Sequence, residues 1–226
     1  MATREYRWRH LALLISILML FSVTPLVVTF KRGILVLDII AVAMFVAGSY
    51  ALSERKHLFL IAIVLSAISI GSTTLVIAVG QRWAVASSHA CIIVLVTFFS
   101  ITILGYVLRS GSVTIDRIFA AICVYMLIGF AWTFSYALLE VMVPGSFGGL
   151  ADISRNDYVA HVQQLRYFSF MTLTTVGYGD VVPRSPIART MAALEAIMGQ
   201  IYLTVLVARL VGLHIVYTIG AHSRKD

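Results

Sequence analysis

Thr174-Thr175-Val176-Gly177-Tyr178-Gly179-Asp180 stands between an amphipathic segment and a long apolar run. Glycine at every second position, Gly177 and Gly179, permits backbone angles that other side chains resist. Such angles let successive carbonyls turn to one side of the chain. A file of carbonyl dipoles can replace the hydration shell of a dehydrating cation. Six specified residues, Thr175 to Asp180, turn up by chance in a chain of this length only on the order of a few times per million. A plain glycine-rich turn is the competing reading, and the length of the run weighs against it.

Around this run the chain has the composition of a membrane protein. Of its 226 residues 60% are hydrophobic and only 12% charged, with a mean hydropathy of +0.96. Soluble domains carry roughly a quarter charged residues. Segments near 20 apolar residues, enough to cross about 30 Å of hydrocarbon, lie at 11–30, 34–52, 58–79, 90–108, 117–142 and 187–214. Polar breaks separate them at Lys31 to Gly33, Ser53 to His57, Gln81 to His89 and Arg109 to Asp116. The first apolar run continues to Phe30 with no small-x-small cleavage site, so it is expected to stay as an anchor.

The net charge of +7 points to topology and not to nucleic acid, because the cations cluster beside apolar runs. With six spans both termini share a side. Placing them in the cytoplasm puts Arg4, Arg7, Arg9, Arg55, Lys56, Arg109, Arg117, Arg209, Arg224 and Lys225 inside. Lys31, Arg32, Arg82, Arg155, Arg166, Arg184 and Arg189 then lie outside. Four of these outer cations belong to the long segment around the glycine run, where such counts say least. The chain is therefore expected in a cell membrane, multi-pass.

Val143 to Tyr158, with Pro144, Gly145, Gly148 and Gly149, reads as an exposed loop. Val159 to Thr174 has helical propensity but is too short and polar to span. A short helix that enters the membrane and leaves through irregular backbone survives only where protein or water satisfies the freed groups. A re-entrant loop meets that condition. Residues 1–110 then form a four-helix membrane domain without a specific motif, and 111–226 a second domain holding the loop.

From about Arg117 to Ile215 the chain resembles the pore module of tetrameric potassium channels: outer helix, turret, pore helix, selectivity filter, inner helix. The resemblance is most specific over Thr174 to Asp180 and looser from Tyr167 to Gly199. It implies an all-α membrane fold, six transmembrane helices plus the re-entrant pore helix and filter, assembled as a homotetramer because a ring of carbonyls needs four loops. It implies K⁺ as the permeant ion and no other cofactor. The carbonyls of Thr175, Val176, Gly177 and Tyr178, with the Thr175 hydroxyl, would form the ion sites, and Gly179 the outer mouth. Thr174 and Asp180 flank the filter, and Tyr167 and Phe168 match the aromatic pair that braces it. Some members place a carboxylic acid on the pore helix against the aspartate after the filter. Met171 stands there, so Asp180 is expected to lack that partner.

On the inner helix, Gly199 matches the hinge glycine, with close helix packing as the other explanation. Gln200, Leu203, Thr204, Val207 and Val211 share one helical face, expected to line the cavity. Glu195 lies well inside the last span. An intramembrane carboxylate is a candidate functional group, here for gating, against a plain hydrogen bond to the pore helix behind the filter. The fourth span, Ala90 to Leu108, contains no Lys or Arg, unlike the arginine ladder of voltage-gated members, so steep voltage gating is not expected. The few residues after the last span give no expectation of a cytoplasmic sensing domain.

An enzyme is not expected. The six histidines have no metal-ligand spacing, no His-Glu-x-x-His or Gly-x-Ser-x-Gly element occurs, and Val182 breaks a dinucleotide fingerprint at Gly177 and Gly179. A non-conducting regulatory subunit of another channel is the alternative, disfavoured by an intact filter.

Overall fold

In a computed structural model, residues 9–27, 33–51, 56–109, 114–150 and 158–222 are described. Among them the elements run α1 (Arg9–Val27), α2 (Gly33–Ala51), α3 (Lys56–Val79), α4 (Arg82–Val107), α5 (Ile115–Met142), β1 (Phe147–Gly148), α6 (Tyr158–Leu173), β2 (Val182–Pro183) and α7 (Pro186–His222). The protein is mostly helical, and α3, α4, α5 and α7 contain stretches long and apolar enough to cross a membrane. Arg9–Thr24 and Ile39–Tyr50 are shorter apolar helical stretches. The boundary expected at 110 and 111 lies outside the described residues.

One core joins the first helices to the last. Leu13 and Ile17 of α1, Leu95, Phe99 and Ile103 of α4 and Leu127 of α5 are buried together, with Phe170 of α6 in the same cluster. A second cluster, Tyr136, Leu139, Phe147, Leu165, Phe168, Val181 and Ala188, lies around the loops on either side of the filter segment. Thr114 caps α5, its side chain accepting from Arg117 N at 3.3 Å; this satisfies an amide with no partner inside the helix.

Two expectations need correction. Gln81 to His89 is not a polar break, because α4 begins at Arg82. Ala84 and Ser88 stand four residues apart on its buried stripe, with His89 beside them. Helical period, not polarity, decides their placement. Nor is the loop after α5 wholly exposed: Ser146 and Phe147 are buried. Backbone pairing holds them inward, with Phe147 opposite Pro183 and Gly148 opposite Val182 and Arg184 N donating to Ser146 O at 2.7 Å.

At the end opposite the filter, Asp116 ties α1 to the α4–α5 corner. Its carboxylate accepts from the His10 amide at 3.3 Å and from the Tyr106 hydroxyl at 3.1 Å, and lies 2.7 Å from His10 Nδ1. Arg209 of α7 reaches the same corner, donating to the carbonyls of Leu108 and Arg109.

Candidate functional site: the filter loop and its supports

α6 stops at Leu173, and the backbone beyond it alternates. Thr175 has φ +60°, Gly177 +56° and Gly179 +77°. Thr175 is the non-glycine residue with positive φ among the described residues, a conformation that costs an L-residue roughly 1–2 kcal/mol. The amides turn back onto α6: Thr175 N donates to Thr172 O at 2.9 Å, Val176 N and Gly177 N to Met171 O at 2.9 and 3.1 Å. With amides engaged on the helix side, the carbonyls are left for the other side. Within one chain nothing covers this side: Thr174 to Asp180 are exposed, Tyr178 at 71%.

α7 is pressed against the start of this loop. A Cβ on Gly199 would stand 2.3 Å from Leu173 O, so close packing explains this glycine. Tyr125 of α5 donates to the same carbonyl at 3.2 Å, occupying an acceptor that the end of the helix leaves open. Gln200 Nε2 donates to Thr175 Oγ1 at 3.3 Å. Farther along α7, Leu203, Thr204, Val207 and Val211 are exposed.

Behind α6, Glu195 is fully buried. Its Oε2 lies 2.5 Å from the Tyr136 hydroxyl and its Oε1 2.6 Å from Ser169 Oγ. One side chain of α7 thereby joins α5 and α6, with Ser169 on the segment expected from sequence as a pore helix.

The far end of the loop has its own supports. Tyr167 stacks on Tyr178, centroids 6.5 Å apart and planes within 6°. Its hydroxyl holds the Asp180 carboxyl below its ordinary range. Asp180 therefore has a partner in the loss of the pore-helix acid, supplied four residues before Met171. Phe168 turns the other way from Tyr167, edge-on to Tyr136 and Phe147 at 5.2 and 5.3 Å. Neighbouring residues on a helix point about 100° apart, so the aromatic pair is split between two tasks. Gly149, φ +80°, lies so close to Asp180 O that a Cβ would come within 1.8 Å of it. Glu140 holds the turn before β1, accepting from Gly145 N at 2.6 Å and Phe147 N at 3.2 Å.

The sequence profile of an ion channel family matches residues 119–214, from α5 through α7. Protein LctB of Bacillus caldotenax is 37% identical over 86 residues, 38% of this chain and 62% of that protein. The inward rectifier potassium channel Kirbac3.1 of Paramagnetospirillum magnetotacticum is 29% identical over 70 residues, 31% of this chain and 24% of that protein. The stretch from α5 through α7 is thus similar to an ion channel domain. No solved structure matches it. Both alignments cover less than two thirds of the relative's length, and the profile leaves α1 to α4 unmatched.

Within the matched stretch, several supports were not singled out from sequence. Tyr136 and Ser169 carry no motif signal; only the presence of a buried acid on α7 asks for hydroxyl partners somewhere. Tyr125 and Glu140 are likewise ordinary residues of an apolar helix until the loops fold over them. Arg166 of α6 donates to Thr24 Oγ1 at 3.0 Å and lies 5.1 Å from the Phe21 ring centroid. It is a direct polar tie between α6 and α1.

Proposed function

We propose that the chain is one subunit of a homotetrameric, potassium-selective channel that conducts K⁺ passively across a cell membrane. The observation that carries this reading is the alternation of positive φ at Thr175, Gly177 and Gly179 on a Thr-Val-Gly-Tyr-Gly run. Each subunit contributes the carbonyls of Thr175, Val176, Gly177 and Tyr178, and the Thr175 hydroxyl, to a ring of four. Gly179 and Asp180 form the outer mouth. Support for the tetramer comes from the exposed loop and from the exposed α7 face through Gln200, Leu203, Thr204 and Val207, which faces the central cavity once four copies surround it. The similarity to Kirbac3.1, an inward rectifier potassium channel, supports the same reading.

In this reading α1 to α5 and α7 are six spans, α6 is the re-entrant pore helix, and both termini are cytoplasmic. The filter then opens outward. α4 carries one cation, Arg82, at its first residue. Each charge that crosses the field is worth roughly 2.3 kcal/mol per 100 mV, so opening depends only weakly on voltage, and a single-channel open-probability curve equivalent to several charges per subunit would contradict this.

Purified protein, reconstituted alone in liposomes, is expected to pass K⁺ with strong preference over Na⁺. Equal permeability to the two ions would sink the reading, and absence of flux would leave a regulatory subunit. Native mass spectrometry is expected to give a tetramer.

A further inference from the structure

Four short oxygen–oxygen contacts surround Glu195, and the hydroxyls in them carry three hydrogens. Tyr136 Oη meets Glu195 Oε2 at 2.5 Å, Ser169 Oγ meets Glu195 Oε1 at 2.6 Å, and Gly129 O meets both Ser169 Oγ and Thr133 Oγ1 at 2.8 Å. A hydroxyl has one hydrogen and a carbonyl none. Tyr136 donates to Oε2 and Thr133 to Gly129 O. Ser169, whose single hydrogen faces two acceptors, can serve only one. If it donates to Glu195, its oxygen is left against the Gly129 carbonyl at 2.8 Å with no hydrogen between. If it donates to Gly129 O, the contact with Glu195 needs a hydrogen from the carboxyl itself.

We propose that Glu195 is held as the neutral acid, donating from Oε1 to Ser169 Oγ while Oε2 accepts from Tyr136, and that it acts as a positioning residue for the filter. The assignment makes every contact a hydrogen bond. The setting agrees: the side chain is fully buried, its partners are two hydroxyls without a cation, and an unpaired charge inside a membrane protein is expensive. The close approach is built in, since a Cβ on Gly129 would stand 2.7 Å from Phe170. From Ser169 the effect reaches the filter through two residues of helix, because Met171 O accepts from Val176 N and Gly177 N.

The positioning role rests on the channel reading; the proton does not. Infrared difference spectra of full-length wild type minus E195Q at neutral pH are expected to show the carbonyl stretch of a protonated carboxyl. Absence of that band would overturn the proposal whether or not the protein conducts. In liposomes E195Q is expected to keep K⁺ flux within about twofold, since its amide donates to Ser169 and its carbonyl accepts from Tyr136. E195A, which leaves both hydroxyls without their partner, is expected to lose flux more than about tenfold. A Gln variant as damaged as the Ala variant would refute the hydrogen assignment. A wild type that shows the band but passes no K⁺ would leave the neutral acid standing, defeat the channel reading and overturn the positioning role.

Discussion

From Tyr158 to Gln200, several polar side chains reach across to another segment; along α3 most of the hydroxyls turn back on their own helix. Arg166 reaches Thr24, Ser169 reaches Glu195 and Gln200 reaches Thr175. On α3, Ser72, Thr73 and Thr74 donate to carbonyls three or four residues earlier. Leu60, Val64 and Ile68 of that helix stay about half exposed, and a cavity of about 350 Å³ lies among α1 to α5, lined by Leu20, Met44, Phe45, Ser69 and Phe130 among others. Helices in lipid gain little by burying apolar surface against each other, because the tails are as apolar as they are. Self-satisfied hydroxyls and interchangeable aliphatics are enough for α3. A loop with three positive φ angles is over-determined only by specific contacts, and these are concentrated around it.

Substitutions that add a single methyl group test this contrast most sharply. Gly177→Ala is expected to abolish K⁺ flux, since the Cβ costs about 1–2 kcal/mol at that φ. Retained selective flux would mean the alternating backbone is not needed. Gly199→Ala comes next. Its Cβ would press on Leu173 O, so a loss of about 1–3 kcal/mol per chain is expected as a lower thermal midpoint together with reduced flux. An unchanged midpoint would show that α7 does not lean on the end of α6.

Tyr167→Phe removes the hydroxyl that holds Asp180 low. A depressed carboxyl contributes above its ordinary value of about 4 and loses that contribution as pH falls through the lower folded value. Without the hydroxyl the carboxyl returns toward its ordinary value. The acid loss of flux is therefore expected to begin at a higher external pH, by a small margin, since Asp180 is at the surface. Coincident wild-type and variant profiles would argue that Asp180 does not support the mouth.

Gly71→Ala on α3 is the smallest change. Nothing lies within 4 Å of its added methyl, and alanine is favoured over glycine in a helix by up to about 1 kcal/mol. Flux should be unchanged and the midpoint equal or slightly raised. A fall as large as that of Gly199→Ala would erase the distinction between the two regions.

The run from Thr174 to Asp180, the apolar segments and the short helix before the filter were legible in the sequence because each depends on local chemistry: glycine where φ must be positive, hydropathy over a span, length against hydrocarbon thickness. Gly199 was legible as special, though not for which reason. What pairs with what was not legible. That Tyr167 and Phe168 part company, that Asp180 is served by Tyr167, and that Glu195 takes Tyr136 from α5 and Ser169 from α6 depend on how three helices approach, and hydroxyl partners leave no periodic signal. Sequence by itself determined most of the helices and the glycine-bearing loop, though neither the start of α4 nor the β1–β2 pairing, since the former follow from backbone freedom and from transfer out of water. Only the tertiary structure decided which polar groups meet, because a buried hydrogen bond is set by distances of a few tenths of an ångström between segments far apart in the chain.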